Sequence, residues 1–168
     1  MNIFMLDNDP ETAARYHCDK HVVKMILESA QLLATTINLQ HGKQVMPYRN
    51  THPNHPCSIW TRESRSNALW LVELAYALNA EYKHRYRKHT NQNHKSYDML
   101  VASRIKQRLI TLDDLGLTPP ALAMPDKYWV LDPFDAVASY RHYYRGSKAD
   151  MLSYTRREIP EWLCGVPS

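Results

Sequence analysis

The sequence predicts an all-α protein: a single-domain helical bundle of about five helices, with a short N-terminal arm and irregular Pro-rich loops. Three observations carry that expectation. Apolar residues recur at three- and four-residue spacing over long stretches and do not alternate. Two Asp-Pro pairs, Asp9-Pro10 and Asp132-Pro133, have the cap-plus-proline pattern of a helix start. Only 4 glycines stand against 10 prolines, too few for the turns of a Gly-rich β-sandwich. At 168 residues and 44% apolar, the chain is long enough to bury one core.

Residues 2–6 form a short apolar run that reads as an arm or a strand. Asp9 caps the first helix, Pro10 takes its first position and Glu11 its first turn. Ala14, Cys18, Val22, Met25, Ile26, Ser29, Leu33 and Ile37 then extend one long amphipathic helix that stops before His41-Gly42-Lys43. A second helix opens near Ser58 on the stripe Trp60, Ser64, Asn67, Leu71, Leu74, Leu78 and Tyr82. It runs into the basic-aromatic segment 82–89 and breaks at Asn91-Gln92-Asn93. A third covers about 96–110, with Leu100, Val101, Ile105 and Leu109 apolar. After the irregular segment 117–125, Asp132-Pro133-Phe134 starts a fourth carrying Val137, Ala138, Tyr140 and Tyr144. Ser147 caps a fifth, ended by Pro160. No repeat or linker interrupts the order.

Composition narrows the function. Neither G-x-G-x-x-G nor G-x-x-x-x-G-K-[ST] occurs, which argues against a nucleotide-cofactor enzyme. The net charge of +4 and pI near 8.9 permit a polyanionic partner. The 3 cysteines have no regular spacing and make no disulfide framework. The first residues lack a basic n-region, and no run approaches the roughly 18 apolar residues of a membrane span. A soluble cytoplasmic protein without a membrane partner is expected; the pattern fixes no oligomeric state.

Two stretches, residues 16–21 and 48–57, hold four of the 9 histidines and two of the 3 cysteines. Titrating and metal-ligating side chains at that density point to a site. On a helix, His17, Lys20, His21, Lys24, Glu28 and Gln31 fall within an arc of about 100° opposite the apolar stripe. The plain alternative is a solvated face. His17 and His21, four residues apart, also have the spacing of helical zinc ligands, which His52, His55 and Cys57 would complete. The glutamate of H-E-x-x-H is missing, however, and H-x-x-H-x-C matches no common zinc spacing. No metal or cofactor is therefore expected, with that zinc set as the alternative.

His52-Pro53 and His55-Pro56 stiffen the second stretch, which feeds a helix N-terminus suited to anions. Arg49, Ser58, Thr61 and Arg62 are near enough to assist, while Glu63 and Asn67 read as partners that orient a histidine. A surface loop whose histidines merely cap turns is the alternative. Segments 82–89 and 140–148 interleave tyrosines with cations, as surfaces that grip phosphate and stack bases do, and Tyr143 is the stacking candidate. Tyrosines buried in the core would give the same pattern.

The strings from Tyr16 to Glu28 (YHCDKHVVKMILE), Thr51 to Trp60 (THPNHPCSIW) and Tyr140 to Tyr144 (YRHYY) resemble a group of small phage-type proteins. The order of parts is more distantly similar to the pyrimidine-dimer DNA glycosylase (endonuclease V) family. Those parts are an N-terminal arm, a cationic first helix, a Y-R-x-H-P-like loop, a helix ending E-x-x-x-R-Y and a C-terminal aromatic-basic segment. That resemblance implies an all-α, metal-free enzyme whose N-terminal α-amine attacks the sugar C1′, helped by an acid on the first helix. Lys20 and Lys24 would then grip phosphate. The carboxylate should fall near Asp19 or His21, but Asp19 turns to the apolar side and His21 is no carboxylate, so Glu28 or His21 would manage the proton. Asn2 is too bulky for efficient removal of Met1, so the amine would be that of Met1.

The expected function is a DNA-acting N-glycosylase, with or without lyase activity, on damaged or modified pyrimidines. His21, Glu28, His17, His55 and Met1 are its catalytic candidates. Lys20, Lys24, Arg49, Asn50, His52, Arg62, Asn67 and Tyr143 are the substrate-binding ones. A His-based phosphodiesterase or hydrolase of nucleotides or RNA is the second reading. A non-enzymatic module that binds a nucleotide or nucleic acid is the third.

Overall fold

The computed structural model describes residues 1–86 and 92–164. Arg87, Lys88, His89 and Asn91, which belong to the predicted basic segment and helix break, lie outside them. Among the described residues the chain forms seven α-helices and no strand. These are α1 (Pro10–Tyr16), α2 (Asp19–Gln40), α3 (Pro56–Glu63), α4 (Arg65–Tyr86), α5 (Lys95–Ala102), α6 (Ile105–Arg108) and α7 (Ala136–Ser147). The two 22-residue helices α2 and α4 pack along each other, α1 lies on α4, and α3 and α5 close the sides. No helix among them is long and apolar enough to cross a membrane.

Asp9 caps α1 as its sequence requires, accepting the Thr12 N–H at 2.8 Å. The single long first helix does not form, because the chain breaks at His17-Cys18. Remote groups claim the backbone there. The Arg85 guanidinium donates to the carbonyls of His17 (2.7 Å) and Arg15 (2.9 Å), and the Tyr154 hydroxyl donates to that of Tyr16 (3.0 Å). The Asp19 N–H goes to the Ser153 carbonyl at 2.8 Å. The second predicted helix divides at Ser64 for the same reason, since the Arg65 N–H bonds the Asp113 carbonyl and Ser64 Oγ the Gly116 carbonyl. The third divides at Arg104, whose backbone is left-handed at φ 51°.

Asp135, not Asp132, caps the C-terminal helix α7, accepting the Ala138 N–H at 2.8 Å. Tyr140 and Tyr144 are fully buried on its inner face. Tyr128 lies flat against its last turn, where a Cβ on Gly146 would fall 2.6 Å from the ring. No fifth long helix follows: a 3-10 turn at Ala149–Met151 leads into irregular chain that reaches back to α2. Asp19 receives that return, accepting from Ser153 Oγ (3.0 Å) and from the Thr155 hydroxyl (2.8 Å). Beside it the Arg85 side chain, wholly enclosed, pairs with Asp19 (3.2 Å) and Glu81 (2.9 Å), and Arg157 closes on Glu81 at 2.6 Å. Burial alone would raise both carboxyls. The hydrogen bonds of Thr155, Arg85 and Ser153 hold Asp19 below its usual value, and those of Arg157 and Arg85 do so for Glu81.

The N-terminal arm is extended and unpaired, with Ile3, Phe4, Met5 and Leu6 all buried. It runs antiparallel to α2, so that Met1 sits at Glu28 and the Phe4 ring stacks on His21 at 4.5 Å. The lengths agree: seven helical residues rise about 10 Å, as do three extended ones. Distant side chains pin the arm. Asn2 Nδ2 donates to the Ala123 carbonyl (2.9 Å), Arg141 Nε to that of Leu6 (2.8 Å) and Trp70 Nε1 to that of Asn8 (2.8 Å).

Candidate active site

Glu28 is a buried carboxylate on the arm side of α2 with three polar neighbours. The Asn2 N–H donates to its Oε2 at 2.8 Å, the Met1 amine stands 3.8 Å from the same oxygen, and Lys24 Nζ lies 3.3 Å from Oε1. The Met1 side chain is only 4% exposed although the residue as a whole is partly exposed, so what faces outward is its backbone end. The thioether anchors the chain and presents the amine.

The proline-broken loop forms the opposite wall. Its start is tied to α2 by the Thr51 N–H on Thr35 Oγ1 (3.0 Å), and Arg62 clamps its middle through the Pro53 carbonyl (2.6 Å). His52 takes a left-handed turn at φ 45°. His55 caps α3, its Nδ1 accepting the Cys57 N–H at 3.2 Å. Burial first, then the positive charge of the Met1 amine and His52, lowers the His55 pKa, with Glu28 opposing. A neutral ring whose Nδ1 accepts must carry its proton on Nε2, so His55 offers a donor, not a base, to the site.

The histidines of the first stretch are placed differently. His17, at the break between α1 and α2, is fully buried; its Nδ1 donates to the Ala13 carbonyl at 2.7 Å and its Nε2 has no partner among the described residues. His21 lies under Phe4 with the Tyr144 hydroxyl 2.6 Å from its Nδ1. Burial brings His17 down to about 4, helped by the Arg85 charge against Glu81. Burial brings His21 to about 3, with His17, Lys148 and Lys24 adding to the effect. Both are neutral at pH 7 and shut away from solvent. The helical arc that grouped them with Lys20 and Lys24 fails for His17 because the helix does not run through it. Among the described residues, no three His, Cys, Asp or Glu side chains gather as a metal-ligand set.

These two histidines make stability pH-dependent. In the unfolded chain each titrates near 6.5, so from about pH 6.5 down to about 4 for His17 and about 3 for His21 the unfolded state binds more protons than the folded one. Stability is therefore complete above that window and is lost as pH falls through it. A depression such as that of His17 corresponds to about 3 kcal/mol at 1.36 kcal/mol per unit. Urea unfolding at pH 7.5 and 5 is expected to show a drop that His17→Phe or His21→Phe reduces.

The remaining candidates divide. Lys20 and Lys24 are exposed on α2, and Arg49, Asn50 and His52 are exposed on the loop. Tyr143 stacks on Phe4 at 6.1 Å and carries the Lys148 ammonium over its ring at 4.8 Å, so Lys148 joins this surface. Arg62 serves the loop's own carbonyl. Asn67 is buried, donating to the Trp60 carbonyl and Thr118 Oγ1, and Glu63 accepts from the same hydroxyl. Glu63 and Asn67 thus hold the 118 segment in place and do not orient a histidine.

Sequence reasoning missed Asn2 as a latch. Its N–H binds Glu28, and its Oδ1 accepts from Tyr140 (3.2 Å) and from Cys57 Sγ (3.7 Å). No local pattern marks that role, since its partners lie 26, 55 and 138 residues away. No family model, curated protein or solved structure matches the chain.

Proposed function

We propose that this protein is a base-excision enzyme acting on DNA, with the Met1 α-amine as nucleophile and Glu28 as proton carrier. The observation that supports this most is the amine held 3.8 Å from a buried carboxylate by an anchored methionine side chain. As the amine's nitrogen bonds to the sugar C1′, the C1′–N bond electrons leave with the damaged pyrimidine. Glu28 takes the proton the nitrogen sheds and returns it to the ring oxygen, opening the sugar to an imine. Glu28, a carboxylate again, takes a C2′ proton, and the electrons of that C–H bond expel the 3′ phosphate and nick the strand. His55 Nε2–H donates to the departing base, Lys20 and Lys24 contact phosphates, and Tyr143 stacks on the extruded nucleotide.

Borohydride reduction during incubation with DNA carrying an abasic site or an ultraviolet-damaged pyrimidine tests the proposal. The expected product is a covalent adduct on the peptide that starts at Met1, in a protein whose intact mass includes Met1. The absence of adduct and of strand nicking on both substrates overturns it.

A further inference from the structure

The outer face of α2 is a ridge with something different on each flank. At about 100° per residue, Lys24 and Glu28 lie about 40° and 80° to one side of Lys20, toward the Met1 amine. Leu27 and Val23 lie about 20° and 60° to the other side. There they form one wall of a groove of about 430 Å³, whose remaining lining includes Tyr48, Tyr82, His94 and Lys95. Tyr82 and His94 meet edge to face at 5.6 Å, Tyr48 is fixed by its hydroxyl on Ser96 Oγ at 2.9 Å, and the His94 ring is held by accepting the Ser96 N–H. Among the described residues, no carboxylate lines this groove.

Three other grooves differ in chemistry. One, between α1 and α4, sets Glu11, Glu73 and Glu81 beside Arg15, His84 and Arg157, so acids offset its cations. The one beside Phe134 has Asp135 and no cation. The one beside Leu163 is mostly aliphatic. Of these four grooves, the Tyr82 groove combines fixed flat rings, an ammonium and freedom from acids, and the exposed lysines of the α2 ridge lie between it and the Glu28 site.

We infer that the Tyr82–His94 groove is a second nucleotide subsite, which takes a base of the same strand whose target nucleotide lies at Glu28. This deepens the nucleic-acid reading above and rests on it. The strand crosses the α2 ridge with phosphates on Lys20 and Lys24 and lays a flanking base between Tyr82 and the aliphatic wall of Val23 and Leu27. A helix with its side chains is about 10 Å across, and a strand advances about 3.4 Å per nucleotide. The flanking base therefore lies roughly three nucleotides from the target. The substrate is a polynucleotide and not a free nucleotide.

The test uses an undamaged thymidine strand, so that it needs no catalysis. With 5-iodouracil at successive positions, photocrosslinks are expected on Tyr82 or His94. Tyr82→Ala is expected to weaken strand binding about tenfold, the loss of one stacked base. Lys95→Glu, a change at an exposed position, weakens it in the same direction and covers the case in which Tyr82→Ala does not fold. Crosslinks confined to other surfaces, parental affinity in both variants, or no strand binding at all would overturn the inference. Failure of borohydride trapping alongside these crosslinks would remove the amine chemistry and leave the subsite standing.

Discussion

Glu28→Gln is expected to lower the single-turnover rate of covalent trapping by about a hundred- to ten-thousandfold, the range that general acid–base groups contribute. Glutamine keeps the shape and can still accept the Asn2 N–H that now goes to Oε2 at 2.8 Å. What it loses is the charge facing the Met1 amine and Lys24, and the capacity to take up a proton. The fold, measured by thermal melting, should be nearly unchanged. Lys24→Ala serves as the contrast: its side chain is 64% exposed, so its loss should weaken DNA binding in a salt-dependent way with little effect on trapping at saturating DNA. A glutamine variant that traps at the parental rate removes Glu28 from the chemistry.

Arg85→Met is expected to destabilise the protein by about 3–5 kcal/mol, the cost of stripping one partner from a buried ionic network. The guanidinium is wholly enclosed and binds Glu81, Asp19 and two carbonyls of the α1–α2 junction. Without it Asp19 keeps Thr155 and Ser153, and Glu81 keeps Arg157, but neither retains a buried cation. The junction carbonyls of Arg15 and His17 lose their donor as well. Urea titration measures the loss. Adding Glu81→Gln and Asp19→Asn to Arg85→Met should recover part of it, because the uncompensated charges are then gone. Purely additive losses across the three changes would mean that the groups do not act as a network.

That network also explains which features could be read in the sequence. The start of α1 was legible because Asp9, Pro10 and Glu11 encode it locally. The inward turn of Asp19 followed from helical spacing, and the structure buries it as that spacing requires. The breaks at His17-Cys18 and Ser64 were not legible, since neither contains glycine or proline. Their backbone groups are taken by Arg85, Ser153, Tyr154 and the 113–116 segment, all of them distant in sequence. The α7 cap was misread by three residues because Asp132 and Asp135 both precede apolar positions. At the site, Glu28, Lys24 and His55 were named from type and spacing and Met1 from the family resemblance, and the four are neighbours in space. His17 was named on the same grounds and is enclosed, because the polar arc assumed a helix that does not continue.

The arm imposes an order on biogenesis. Asn2 and Leu6 leave the ribosome 121 to 138 residues ahead of their partners Ala123, Tyr140 and Arg141. The nascent chain must therefore carry this greasy segment unsheltered until Arg141 has been made, and α2 has no lid over His21 during that interval. Slow translation should lengthen the time for which this segment is open to chaperones.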